Sequence, residues 1–304
     1  MTTQGRIWLA VALASLGWGT SGVMTRVALG EDIEPFAIAA GRSVVAAAGI
    51  AIWLLIRRRS VDADRTTLLV GIVMATTNMA APLVLGNLAL QYAGAGFVGV
   101  LASLIPLFTA VIAHFALPDE PMRLVKVAGL VVALSGVVVL FLSGDSGLGE
   151  GGRPLLAGGL ALCGYLAIAV GSVYAKKHAG AYRPLDVSVI QFVVGGVLAV
   201  TAMLLVEGVP DLPAAGGLGS LLYLGTVTTV LPFLVYYWLL QHVTVTYSAI
   251  IGYLVPLVAV IVGVVALDER LQPGIVIGGA LILAGVIVTD RVEMRTRVQA
   301  AVRP

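Results

Sequence analysis

The sequence predicts an all-α integral membrane protein. It should have ten transmembrane helices in two inverted five-helix repeats, with both termini on the cytoplasmic side. Three observations lead there: a lipid-compatible composition, a one-sided placement of basic residues, and a set of marker residues that recurs at a fixed offset.

Of the 304 residues, 59% are apolar and only 11% are charged, and the mean hydropathy is +1.04. A soluble domain carries about a quarter charged residues. A chain this apolar cannot clothe a water-facing surface, so its exterior must face lipid. No basic tract with interleaved aromatics is present, which argues against a nucleic-acid partner. The single cysteine, Cys163, excludes an internal disulfide framework and offers no metal-binding spacing. Its place in an apolar run reads as that of a small packing residue. No metal is expected.

A helix needs about 20 residues to cross a hydrocarbon core about 30 Å thick. Ten segments meet that length. The first five run Ile7 to Leu29, Pro35 to Ile56, Thr66 to Leu90, Ala95 to Leu117 and Leu124 to Leu142. The second five run Pro154 to Ala175, Val187 to Val206, Leu218 to Leu240, Val245 to Leu267 and Leu271 to Thr289. The first segment follows Arg6, is long enough to span, and lacks a small-residue cleavage site, so it reads as a mature span rather than a leader. Turn-forming clusters such as Glu31-Asp32, Ser143-Gly144-Asp145 and Gly208-Val209-Pro210 separate the segments.

With the N-terminus inside, the inner segments hold fourteen of the eighteen basic residues, among them Arg57, Arg58, Arg59, Lys176 and Lys177. The outer loops hold two, Arg153 and Arg270, and the spans hold Arg26 and Arg42. A miscount of one span in mid-chain would scatter the basic loops over both sides, so this bias supports the even count and the orientation together.

A shift of 150 positions aligns the halves without gaps over a long stretch. Pro82 falls on Pro232, Leu90-Gln91 on Leu240-Gln241, and Pro106-Leu107 on Pro256-Leu257. Closing the shift to 149 sets Asp119-Glu120 on Asp268-Glu269, Gly129 on Gly278 and Gly136-Val137 on Gly285-Val286. Each half has an odd number of spans, so the second copy enters the membrane upside down. The expected units are residues 5–143 and 153–290, followed by a basic cytoplasmic tail at 291–304. Inverted repeats of this kind commonly enclose a substrate site near the midplane.

The repeated unit resembles the EamA domain of the drug/metabolite transporter superfamily. The likeness rests on Trp18-Gly19, on Pro35 followed by Arg42, and on Leu104-x-Pro106-Leu107 ahead of Asp119-Glu120. The second copy repeats it with Pro256-Leu257, Asp268-Glu269-Arg270-Leu271, Gly278 and Gly285-Val286. The resemblance implies a basket-like bundle around a central cavity lined by spans one, three, four, six, eight and nine. It also implies export or uptake of small metabolites such as amino acids, with no bound cofactor. The first acidic motif, Pro118-Asp119-Glu120-Pro121, departs from the family pattern, so no role is carried over to that pair.

The midpoints of those six spans are Trp18, Asn78, Ser103, Tyr165, Thr228 and Tyr253. Asn78 and Thr228 are repeat counterparts, as are Ser103 and Tyr253. Aromatic rings beside neutral hydrogen-bonding groups suit a zwitterionic or amphipathic solute, while interhelical packing accounts for the same residues in any bundle. Arg42 lies seven residues, about 10 Å, into span two. It reads either as a contact to an anionic substrate group or outer gate, or as a side chain snorkelling toward Glu31, Asp32 or Glu34. Arg26 reads as snorkelling. Pro82, Pro106, Pro232 and Pro256 each remove a backbone donor inside a span and read as paired hinges, though proline is also tolerated in membrane helices without one. Tyr236, Tyr237 and Trp238 read as an interfacial belt. His114, His178 and His242 show no metal spacing, and Gly144-Asp145-Ser146-Gly147 is a turn with no histidine partner.

All sixteen acidic residues fall in loops or at span ends. Transport is therefore expected to proceed without a membrane-embedded carboxylate, by facilitated diffusion or through protonation of the substrate. The leading expectation is a cytoplasmic-membrane exporter of amino acids or related solutes, not an enzyme, working foremost as a monomer; Gly274-x-x-x-Gly278 and Gly96-x-x-Gly99 allow close helix approach and read as intramolecular packing ahead of a homodimer contact. A sugar or nucleotide-sugar carrier of the same fold is the alternative within transport. A membrane-embedded enzyme is the alternative outside it, and no nucleophile-base pair or metal-ligand set at one depth supports that reading.

Overall fold

A computed structural model describes the backbone of residues 3–118, 122, 124–148, 151–242 and 245–302, with their side chains except at 3, 237, 240–250 and 290–302. Asp119-Glu120, Arg123 and Arg303 lie outside the described residues. All regular structure among the described residues is helical: α1 (Thr3–Gly19), α2 (Ser21–Gly30), α3 (Pro35–Arg57), α4 (Arg65–Ala75), α5 (Ala81–Tyr92), α6 (Ala95–Ala102) and α7 (Ile105–Ala116). The order continues with α8 (Leu124–Leu142), α9 (Pro154–Lys177), α10 (Pro184–Val206), α11 (Ala215–Gly225), α12 (Leu231–His242), α13 (Val245–Leu267) and α14 (Pro273–Val302). Among the described residues, eight helical stretches are long and apolar enough to cross a membrane, and two shorter apolar ones, Ile251–Leu267 and Pro273–Thr289, follow them.

Helix starts follow local chemistry. Pro35, Pro154 and Pro184 open α3, α9 and α10, where a missing N–H costs nothing. This is why α10 begins at Pro184, ahead of the expected Val187. Asp64 caps α4, accepting from the Thr67 amide at 2.9 Å, and the side chain and amide of Thr67 hold its carboxyl below the ordinary range. The backbone of α14 stays helical through residue 302, beyond the expected end at Thr289.

Two π turns interrupt the bundle at Thr76–Ala80, between α4 and α5, and at Thr226–Val230, between α11 and α12. Each ends two residues before a proline, Pro82 or Pro232, and they stand at the 150-residue offset. The amides of Ala81 and Leu231 reach back five residues, to the carbonyls of Thr76 and Thr226. The prolines are the physical cause: neither can donate to the carbonyl four residues earlier, and each ring crowds it.

Helix packing has a two-fold pattern. α3 packs on α10, α8 on α14 and α6 on α13; α1 lies against α12 and α13, as α9 lies against α5 and α7. The pattern is unchanged when each helix is exchanged for its counterpart in the other half. Between α8 and α14, Gly136 faces Gly278 and Gly129 faces Gly285, so these two counterparts run antiparallel. A Cβ on Gly136 would stand 2.6 Å from the Gly278 oxygen, and one on Gly129 2.6 Å from the Gly285 oxygen.

At one end of the bundle, interhelical carboxylates cap helix N-termini. Glu269, 8% exposed, accepts from Ala95 N at 2.6 Å and Gly96 N at 3.0 Å at the start of α6. Glu207 accepts from Phe36 N and Ala37 N, both at 2.8 Å, at the start of α3. Loops join beside Glu269: Gly94 N donates to Ser146 O and Gly147 N to Gln272 Oε1, each at 2.8 Å. At the opposite end, nearer Arg57, the interior is filled. One cluster gathers Ala10, Val11, Ala14, Leu239 and Ile251, and another Ala46, Ile50, Met79, Val189 and Phe192.

Two single residues need separate mention. Tyr236 is partly buried, packed against the first of these clusters with its ring 5.6 Å from that of Trp18. The side chain of Tyr237 lies outside the described residues. Cys163 is exposed on α9 rather than packed in the interior.

Candidate functional site

Three helical faces rich in small residues meet above the filled end. Trp18, Ser21, Gly22 and Thr25 follow the i, i+3, i+4, i+7 spacing of one helix face, and so do Ala95, Val98, Gly99 and Ala102. Asn78, Pro82, Gly86 and Leu90 recur every four residues along the rod that contains the first π turn. With Arg42, Tyr165, Val255 and Ala259, these faces enclose a cavity of about 270 Å³ in the half of the bundle nearer Glu269. Small side chains leave the space open, while the filled clusters close it toward the Arg57 end.

Of the midpoint residues, Trp18, Asn78 and Tyr165 line the cavity; Ser103, Thr228 and Tyr253 lie outside its lining. Tyr165 is pinned by its hydroxyl, which donates to Val98 O at 2.9 Å. The Asn78 amide donates to Thr77 Oγ1 at 3.1 Å, and its Oδ1 receives Ser172 Oγ at 3.4 Å. Thr228 is fully buried, and its hydroxyl is turned back onto Leu224 O at 2.8 Å. Ser103 sits in the break between α6 and α7, buried at 4% exposure. Tyr253 packs against the core cluster that contains Phe97 and Leu101. Among the prolines, Pro82 lines the cavity, Pro106 sits in the first turn of α7 after the break, and Pro256 lies inside the continuous α13.

Arg42 does not snorkel. It is 8% exposed and turns into the bundle. Its Nε donates to Thr229 Oγ1 at 2.8 Å, Nη1 to Ser21 Oγ at 2.8 Å and Nη2 to Thr228 O at 3.3 Å. Pro232 explains the last bond, because the Thr228 carbonyl has no amide donor four residues on. All three partners are neutral, and among the described residues no carboxylate pairs with the guanidinium. An arginine near the bilayer centre costs about 2.5–3.5 kcal/mol on insertion scales. Arg26 also turns inward, Nη1 donating to Leu90 O at 2.9 Å.

Among the described residues two buried carboxylates lie elsewhere. Glu269 serves as the cap described above, and Asp186, in the first turn of α10, is 1% exposed with neither oxygen hydrogen-bonded to a described residue. Neither lines the cavity, whose lining holds no acidic residue. A larger recess of about 770 Å³ lies on the flank, between α3, α10 and α11, with Glu31, Asp32, Glu34, Glu207 and Asp211 on its rim. It is bounded by one side of the bundle rather than by the paired irregularities, and Glu207 there is occupied as a cap.

Ser21, Thr25, Asn87 and the glycines of the lining were missed by taking helix midpoints. Their signal was available as helical periodicity: a polar and small-residue face within otherwise Leu- and Val-rich spans.

Fold and cavity together define a helical membrane transporter. The chain belongs to the EamA-like transporter family, whose profile matches residues 5–142 and again 155–289. It is 24% identical to the uncharacterized transporter YoaV of Bacillus subtilis, covering 96% of this chain and 99% of that protein. It is 27% identical to a probable terminal-alkyne amino-acid exporter of Streptantibioticus cattleyicolor, covering 99% of this chain and 98% of that one. A crystal structure of 21% sequence identity superposes with a TM-score of 0.66 over 97% of this chain and 99% of the other.

Proposed function

We propose that this protein exports small amphipathic metabolites, amino acids foremost, across the cytoplasmic membrane by alternating access around the central cavity. In this reading ten spans form two inverted five-helix repeats with both termini inside, and the Glu269 end faces outward. The observation that carries it is the cavity itself, small, largely apolar with Ser21, Thr25, Arg42, Asn78 and Asn87 set into its lining, and beside a π turn that has a counterpart in the other half. The antiparallel crossing of α8 and α14 and the exchange symmetry of the packing support the inverted arrangement. The name of the Streptantibioticus relative supports amino acids as cargo.

Counterflow of labelled amino acids into proteoliposomes tests the reading. Gly86 supplies the blocking variant: it lines the cavity, and a Cβ added there meets nothing within 4 Å. Gly86→Phe should therefore fill the space without straining the helix. The expected result is loss of counterflow at least about tenfold with an unchanged melting temperature, since helix propensity rises when glycine is replaced. Wild-type counterflow untouched by this substitution would remove the cavity from the transport path. With no carboxylate in the lining, counterflow should also proceed equally with and without a pH gradient. A steep requirement for inward proton movement would instead assign coupling to a buried acid such as Asp186.

A further inference from the structure

We propose that Arg42 recognises a carboxylate on the transported solute, so that the carried class is carboxylates, amino acids and their des-amino analogues alike, and excludes amines. The inference rests on the reading of the cavity as the substrate site.

A guanidinium offers five N–H donors in a fixed fork. Three are used, by Thr229 Oγ1, Ser21 Oγ and Thr228 O, which leaves two without a partner among the described residues. The three acceptors orient the group but leave its charge uncompensated. Charges inside a span face a cavity or pair with one another or with backbone carbonyls; Arg42 faces the cavity and has one long bond, 3.3 Å, to a carbonyl and, among the described residues, no acid. It faces the cavity, 8% exposed, and no acidic side chain in the lining competes for it. Two free N–H groups suit a carboxylate, which accepts them as charge-assisted hydrogen bonds.

The same lining sets what is refused. An ammonium group would meet Arg42's charge and would find neutral acceptors, such as Asn78 Oδ1, but no carboxylate. Selectivity therefore follows from a charge asymmetry: one fixed cation and no fixed anion around a space of about 270 Å³. Trp18 and Tyr165 supply apolar faces for the rest of the solute.

The test uses full-length protein in nanodiscs and three probes of one shape: leucine, 4-methylpentanoate, which lacks the amine, and 3-methylbutylamine, which lacks the carboxylate. Equilibrium binding should rank leucine and 4-methylpentanoate together, with the amine weaker by about 10- to 100-fold, the range expected for hydrogen bonds to a charged group. Arg42→Gln should weaken both acids by a similar factor and leave the amine unchanged. Arg42→Lys, which keeps the charge and loses the fork, should fall between. If Arg42→Gln does not fold, the wild-type ranking and Arg42→Lys still decide. An amine that binds as well as the acids, or an Arg42→Gln loss shared equally by all three probes, overturns the proposal. Failure of all three to bind also overturns it. In that case, counterflow of an uncharged solute by the same protein would leave the carrier reading standing, and absence of any counterflow would remove both.

Discussion

Gly136→Val is expected to force α8 and α14 apart and to lower the melting temperature of the purified protein by roughly 5–10 °C. The estimate follows from about 3 kcal/mol of overpacking and the size scaling of thermal shifts. It sits at the upper end of the usual range because the obstacle is main chain. The added Cβ would meet the Gly278 oxygen at 2.6 Å and Ile282 N at 2.8 Å, and no rotamer change can move either. The helices have to separate, and the matching contact of Gly129 with Gly285 opens with them. Gly159→Val is the control, since a Cβ at Gly159 meets nothing within 4 Å, and it should melt like the wild type. A Gly136→Val protein that melted with the control would show that the two backbones do not touch.

The second large effect belongs to Glu269. Replacement by alanine leaves the amides of Ala95 and Gly96 without their acceptor, in a place where the carboxylate itself is only 8% exposed. Hydrogen bonds to a charged partner contribute about 1.5–3 kcal/mol each, so losing both costs about 3–6 kcal/mol. The helix dipole adds to the attraction, because the negative charge stands at the N-terminus of α6. The direct readout is hydrogen exchange at residues 95 and 96, expected to accelerate by at least about 100-fold in Glu269→Ala, with a smaller change in Glu269→Gln, which keeps one acceptor oxygen. Unchanged exchange in Glu269→Ala would mean that another group caps α6.

Much of this was legible from residue order alone, for reasons that differ from element to element. Apolar runs of span length are constrained by the bilayer, so helix positions could be read to within a few residues. The misses at Val187 and Thr289 arise because Pro184 opens a helix early and because the polar end of α14 remains helical. The likeness between the halves showed through proline and glycine, whose roles are backbone-specific: Pro82 and Pro232 each follow a π turn, and Gly136 and Gly278 face one another across the crossing. The lining was harder. Taking the midpoint of each helix gives depth but no rotation about the axis, so it caught Trp18, Asn78 and Tyr165 together with Ser103, Thr228 and Tyr253, which lie outside the cavity. Arg42 was visible as a charge in an apolar span, but its neutral partners come from α2 and from the second π turn. Only folding brings Ser21, Thr228 and Thr229 to it.

Cys163 carries a practical consequence. It is the single thiol of the chain, exposed on α9 nine residues from the helix start at Pro154, a depth of about 13 Å. A side chain at that depth on the outer face of the bundle is bathed in acyl chains, where a charged maleimide does not dissolve. The natural sequence thus serves as its own silent background for labelling. Cysteines introduced at Arg58 and Lys177 can be scored from either side of the membrane with no prior removal of the native thiol.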